Sequence, residues 1–149
     1  MELGHWVPFN PLKKINIAYY IHSYISTLEE LKFTFFEYSE KKNSEVHVTF
    51  FSGEEICKKA KALYRSELWQ YLNGTHKMLD KTWPLYIVEN SAYLKLISKE
   101  SMAVTDLLKF KHYCIMDDTW TFDVASQQQP RIELFTGGKL AEMAEFRWH

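Results

Sequence analysis

The sequence predicts an α+β fold, a mostly antiparallel sheet with two helices packed on one face. Apolar and polar residues alternate with a period of two in several runs, and a short charged loop joins two of these as in a hairpin. A central stretch instead repeats apolar residues every three or four positions behind a capping motif. The resulting order is strands, helix, strand, helix and strands again. That segregation suits an antiparallel sheet with helices on one side better than a series of βαβ units.

The elements are predicted in the following order. Behind an aromatic entry segment, Trp6-Val7-Pro8-Phe9, residues Ile15, Ile17, Tyr19 and Ile21 alternate with Asn16, Ala18, Tyr20 and His22, so the first set shares one face of a strand. Leu31, Phe33 and Phe35 alternate with Lys32, Thr34 and Phe36 in a second strand. The polar run Ser39 to Ser44 reverses the chain, and Val46, Val48 and Phe50 form the returning strand. Ser52-Gly53-Glu54-Glu55 matches a capping box. Cys57, Ala60, Tyr64, Leu68 and Tyr71 then predict a helix that stops at Asn73-Gly74, with a loop from Thr75 to Lys81. Leu85-Tyr86-Ile87-Val88 is the continuous apolar run of a strand buried on both sides. Glu89-Asn90-Ser91 caps a short helix carrying Tyr93, Leu94 and Ile97. Strands are expected from His112 to Met116, Trp120 to Val124 and Arg131 to Phe135. Gly137-Gly138 then releases a short tail, so that residues 1–149 form a single domain with 137–149 as its tail.

Composition narrows the function classes. The chain has 149 residues, 46% hydrophobic and 25% charged, which is the balance of a globular domain able to bury a core. Aromatics reach 16%, including nine Tyr and ten Phe, which suits strands and also a recognition surface. A net charge of −1 gives no global field toward nucleic acid or an anionic membrane. The two cysteines, Cys57 and Cys114, are too few for a disulfide scaffold and are expected as reduced thiols. No basic-then-apolar leader opens the sequence, and no run approaches the roughly 20 apolar residues of a membrane span. A cytoplasmic location is the expectation.

No catalytic constellation emerges. The six histidines are scattered without HxxxH or HExxH spacing, and His112 with Cys114 makes only half a metal site, so no metal or cofactor is expected. Asp117-Asp118 and Asp123 cluster, but the pair sits between two strands, where aspartate is a turn former. Gly137-Gly138 lacks the strand and lysine of a phosphate loop, and no GxSxG elbow occurs. Lys58, Lys59, Lys61 and Arg65 read as the solvated side of the predicted helix.

Two blocks are more particular. Trp83-Pro84-Leu85-Tyr86-Ile87-Val88-Glu89-Asn90-Ser91-Ala92-Tyr93-Leu94 is followed by Glu100-Ser101. Lys111-His112-Tyr113-Cys114-Ile115-Met116 is followed by Phe122-Asp123-Val124-Ala125-Ser126 and Pro130-Arg131-Ile132-Glu133. With Tyr64-Arg65 and the entry segment, these blocks resemble a group of small bacterial immunity-like proteins of polymorphic toxin and contact-dependent growth inhibition loci. The resemblance implies a cytoplasmic protein that blocks one cognate toxin domain by stoichiometric binding, with no enzymatic activity of its own. The chain departs from that group between Glu54 and Leu72, which reads as helical where the group extends a strand up to its Tyr-Arg pair.

The contact residues expected for such a partner are those the pattern leaves outward or in turns: Tyr20, His22, Tyr24, Asp117, Asp118 and Trp120. The alternative reading is a small-molecule-binding sheet domain with a pocket lined by Phe and Tyr. A third is an enzyme using His112 with Asp117 or Asp123, which would need those groups to converge in a cleft.

Overall fold

The structure is a computed structural model. It describes residues 5–15, 18–39, 41, 43–51, 56–62, 83–95, 110–117 and 120–145, with 56–62 and 120 described as backbone. Ten strands are present among them: β1 (His5–Pro8), β2 (Tyr19–Ser26), β3 (Glu30–Glu37), β4 (Ser44–Phe51), β5 (Ile56–Ala62), β6 (Leu85–Glu89), β7 (Lys111–Met116), β8 (Trp120–Ser126), β9 (Arg131–Thr136) and β10 (Lys139–Ala144). They make two five-stranded sheets. Sheet A has the order β1-β6-β7-β8-β5 and sheet B the order β10-β9-β4-β3-β2. Every pairing is antiparallel.

The predicted α+β class is therefore wrong. The described chain is nearly all sheet, and its helical content is one short turn at 92–95. The long central helix fails first. Ile56–Ala62 is strand β5, paired along its length with β8 from Ile56 opposite Ser126 to Ala62 opposite Trp120. Lysine and alanine carry helical propensity, but propensity is a weak prior that tertiary pairing overrides. Here β8 offers a full ladder. The capping box at 52–55, Tyr64 and the rest of the predicted helix to Tyr71 lie outside the described residues, as does Ile97.

The predicted tail is corrected as well. Gly137 and Gly138 adopt φ of 58° and 78°, and two consecutive left-handed residues make the tight turn that suits the twist of a hairpin. Lys139–Ala144 accordingly folds back on β9 as β10. The entry segment proves to be strand β1, with Trp6 opposite Val88.

The sheets face each other across one apolar core. Sheet B contributes Tyr19, Ile21, Leu31, Phe33, Phe35, Val46, Val48, Phe50, Ile132 and Leu134; sheet A contributes Leu85, Tyr113, Ile115, Phe122 and Val124. Aromatic edges lock the layers together. Phe33 meets Phe122 with ring centroids 5.0 Å apart, Phe50 meets Tyr113 at 5.3 Å, and Trp83 stands edge-on to Phe35 at 5.8 Å and to Tyr19 at 6.0 Å. The other face of sheet A carries a second buried group, Trp6, Tyr86, Val88, Cys114 and Met116. Cys114 is fully buried in this group. No described helix is long and apolar enough to cross a membrane.

One core residue invites a test. The Tyr113 hydroxyl is buried with no hydrogen-bond partner among the described residues, and burial pushes its pKa upward. An unmet buried hydroxyl costs roughly 1–3 kcal/mol. Tyr113→Phe, which keeps the ring, is therefore expected to match or exceed the parent in stability by about 1 kcal/mol in urea unfolding. A clear loss of stability would show that the hydroxyl is bonded after all.

Candidate partner-binding surface

In sheet B alternate residues turn away from the core, and strand order decides which of them meet. Read across the five strands, Tyr20 stands opposite Phe36, Phe36 opposite Glu45, Glu45 opposite Phe135, and Phe135 opposite Leu140. Directly opposed residues share a face. The row is therefore one stripe across the outer face of sheet B, apolar except for the carboxylate at its centre. None of its members is fully buried, and Leu140 is 52% exposed. At the β2 end the stripe broadens. The His22 ring stacks on Phe36 at 3.8 Å and 9°, and Tyr20 meets both Phe36 and the exposed Tyr38 edge-on.

The second row on this face is polar. Thr34, His47 and Glu133 lie in register and lead to the exposed Met143. Nε2 of His47 stands 3.4 Å from Oε1 of Glu45 without the alignment of a hydrogen bond, and its ring tilts against Phe135 at 4.5 Å. Burial, and then the neighbouring Lys32, hold the His47 pKa below its ordinary value, outweighing the carboxylates of Glu45 and Glu133. The folded state therefore resists protonating this ring. As pH falls below the ordinary value of 6.5, the unfolded chain takes up the proton first and stability drops. The decline from this group ends once pH passes below the folded-state pKa. His47→Gln is expected to flatten that limb of the stability curve, measured as the urea midpoint between pH 7.5 and 5. An unchanged slope would remove His47 as its cause.

The residues nominated from sequence divide between several places. Tyr20 and His22 belong to the stripe. Tyr24 does not, because the register shifts between Ile21 and Ser23 and His22 is the extra residue. That bulge reverses the parity of β2, so Tyr24 leans inward against Phe33 and against Phe122 at 4.8 Å, although it stays partly exposed at the sheet margin. Asp117, just past β7, accepts the Ile21 amide at 3.0 Å and so ties sheet A to the outermost strand of sheet B. Asp118 and the Trp120 side chain lie outside the described residues. Phe36, Glu45, Phe135 and Leu140 were missed from sequence. The only local signal was an aromatic at the polar phase of two strands, Phe36 after Lys32 and Thr34, and Phe135 after Arg131 and Glu133.

The histidine singled out in sequence finds a partner elsewhere. His112 on β7 and Asp123 on β8 are joined by a 2.8 Å contact from Nε2 to Oδ1, and Nδ1 lies 2.7 Å from the Ser91 hydroxyl. Asp117 takes no part in this contact. A carboxylate only accepts, so a ring with one proton donates it from Nε2 and leaves Nδ1 to accept from Ser91. The Ser91 oxygen in turn accepts the Leu94 amide at 3.0 Å, as an N-cap residue does, beyond Asn90 at a φ of 52°. Ser91 is 6% and His112 4% exposed. Tyr93 lies over the imidazole at 4.7 Å and donates to the Asp123 carbonyl. The serine, histidine and aspartate of the two sequence blocks that carry the resemblance thus meet in one buried polar clamp across three segments. Among the described residues no group of three or more potential ligands could hold a metal ion.

No protein-family model, curated protein or solved structure matches the chain.

Proposed function

We propose that this chain is an immunity-type binding protein. In this reading it acts in the cytoplasm and neutralises one cognate toxin domain by forming a stoichiometric complex through the outer face of sheet B. The observation that carries the docking face is the stripe Tyr20–Phe36–Glu45–Phe135–Leu140, which crosses all five strands with side chains partly open to solvent, apolar or aromatic on four strands and acidic on the central one. Exposed aromatics at the centre of a polar surround are the usual anchors of a protein interface. The toxin as partner comes from the resemblance of the two sequence blocks. Those blocks build the middle of sheet A, the polar clamp and the start of β9, which suits a common scaffold, while four of the five stripe residues lie on other strands of sheet B.

The ligand-pocket alternative gains no support from the described interior, where Phe33, Phe35, Phe50, Trp83, Tyr113 and Phe122 fill the space between the sheets. Binding, and not chemistry, is also what suits the clamp, because its serine and histidine are enclosed.

The test is co-purification with the C-terminal domain encoded directly upstream, followed by calorimetric titration of the pair. A one-to-one complex with a nanomolar dissociation constant, about −12 kcal/mol, is the expected result. Phe36→Ala should weaken it at least about tenfold if the stripe is the anchor. Absence of both heat and co-elution would sink the pairing.

A further inference from the structure

We infer that the stripe on sheet B is built to receive an arginine side chain of the partner, seated on Glu45 between the flanking rings of Phe36 and Phe135. This deepens the docking reading above and rests on it for the partner, though not for the chemistry of the seat.

Glu45 is the single formal charge in the row, with a phenylalanine directly opposite it on each neighbouring strand. Directly opposed residues have Cβ atoms about 5 Å apart, so a phenylalanine side chain starts next to Glu45 on each side. The carboxylate's one ionic neighbour among the described residues is His47, which the fold keeps from taking up a proton readily. Among the described residues no lysine or arginine pairs with this carboxylate, whose side chain is 39% exposed. A group that docks on this carboxylate must bring positive charge and also lie against the ring surface that His22 leaves open on Phe36 and His47 leaves open on Phe135. Guanidinium does both: it is planar, binds a carboxylate through two parallel N–H donors and stacks on rings, whereas ammonium is a compact, strongly hydrated point charge.

The same face already holds one arginine in this manner. The Arg131 guanidinium carbon lies 4.7 Å from the centre of the Phe51 ring, and Nε stands 3.4 Å from Oε1 of Glu133. Ring and carboxylate are not opposed in register there, as they are in the Phe36–Glu45–Phe135 row, but the pair shows one guanidinium on this face shared between a phenylalanine ring and a glutamate. Around that row, Tyr20, His22, Tyr38 and Leu140 extend the apolar surface. The occupant is thus a protein segment with one arginine set among aliphatic or aromatic side chains, rather than a uniformly basic one.

The test uses the full chain, labelled for NMR and titrated with phenethylguanidinium, with phenethylammonium as the control. Saturable shifts at the Phe36, Glu45 and Phe135 amides are expected, with the ammonium binding at least about threefold more weakly. Glu45→Gln should abolish that preference and leave the spectrum of the core unchanged. Non-saturable shifts, shifts centred elsewhere, or an unaltered preference in Glu45→Gln would overturn the inference. Titration of Glu45→Gln with the upstream toxin domain separates the two ideas. A complex that forms as tightly as the parent's would discard the arginine seat and keep the neutraliser reading. A guanidinium site that behaves as expected beside a toxin domain that never binds would do the reverse.

Discussion

Phe33→Ala is expected to cost about 4 kcal/mol of folding stability, the largest loss of any single truncation considered. Phe33 is fully buried in the middle of β3 and belongs to both layers at once. Its ring meets Phe122 of sheet A at 5.0 Å, Phe50 of the neighbouring strand at 6.3 Å and Tyr24 of the other neighbour at 6.1 Å. Truncation removes the transfer energy of the ring and leaves a cavity that rigid opposing sheets close poorly. For a domain of this size the melting midpoint should fall by about 10 °C. Urea unfolding measures the same quantity, and a loss below about 1.5 kcal/mol would mean that the sheets do not pack through this residue.

His112→Ala is expected to cost about 3 kcal/mol, for a different reason. Little apolar area is lost. Instead the substitution removes the imidazole that bonds both the mostly enclosed Asp123 carboxylate and the buried Ser91 hydroxyl. Loss of the 2.8 Å contact to the carboxylate carries most of that cost. Ser91→Ala should cost less, about 1 kcal/mol, because it removes a cap and the donor to Nδ1 but keeps the contact between His112 and Asp123. The double substitution should fall short of the sum of the two, since both break one network. Full additivity would show that the three side chains act independently and that the clamp is not a unit.

Much of sheet B was legible in the sequence because its strands are amphipathic. The alternation at Tyr19–Ile21, Leu31–Phe35 and Val46–Phe50 assigns the buried and open faces without knowledge of the fold. β5 was not legible, since its lysine- and alanine-rich run is compatible with a helix until β8 is in place to pair with it. β10 was misread because a Gly-Gly pair can end a chain segment or turn it, and only the β9 partner decides. The recognition stripe was half visible. Tyr20 and His22 follow from local alternation, but Phe36, Glu45, Phe135 and Leu140 come together only through the order β10-β9-β4-β3-β2, which no local pattern encodes. The parity change at His22 is likewise a property of the paired strand, and it moved Tyr24 from the outer surface to the interlayer margin.

The bond from the Ile21 amide to Asp117 has a counterpart at the far side of the same sheet, where the Lys14 ammonium donates to the Ala141 carbonyl at 3.2 Å and the Lys13 and Lys14 amides donate to Glu142. Both outermost strands of sheet B are thus engaged from within the molecule at main-chain positions that strand addition by another chain would need. This closes off the cheapest route by which β-proteins polymerise, growth of one ladder into the next. It also leaves the broad side of the sheet, rather than its margins, as the surface on which specificity can be written.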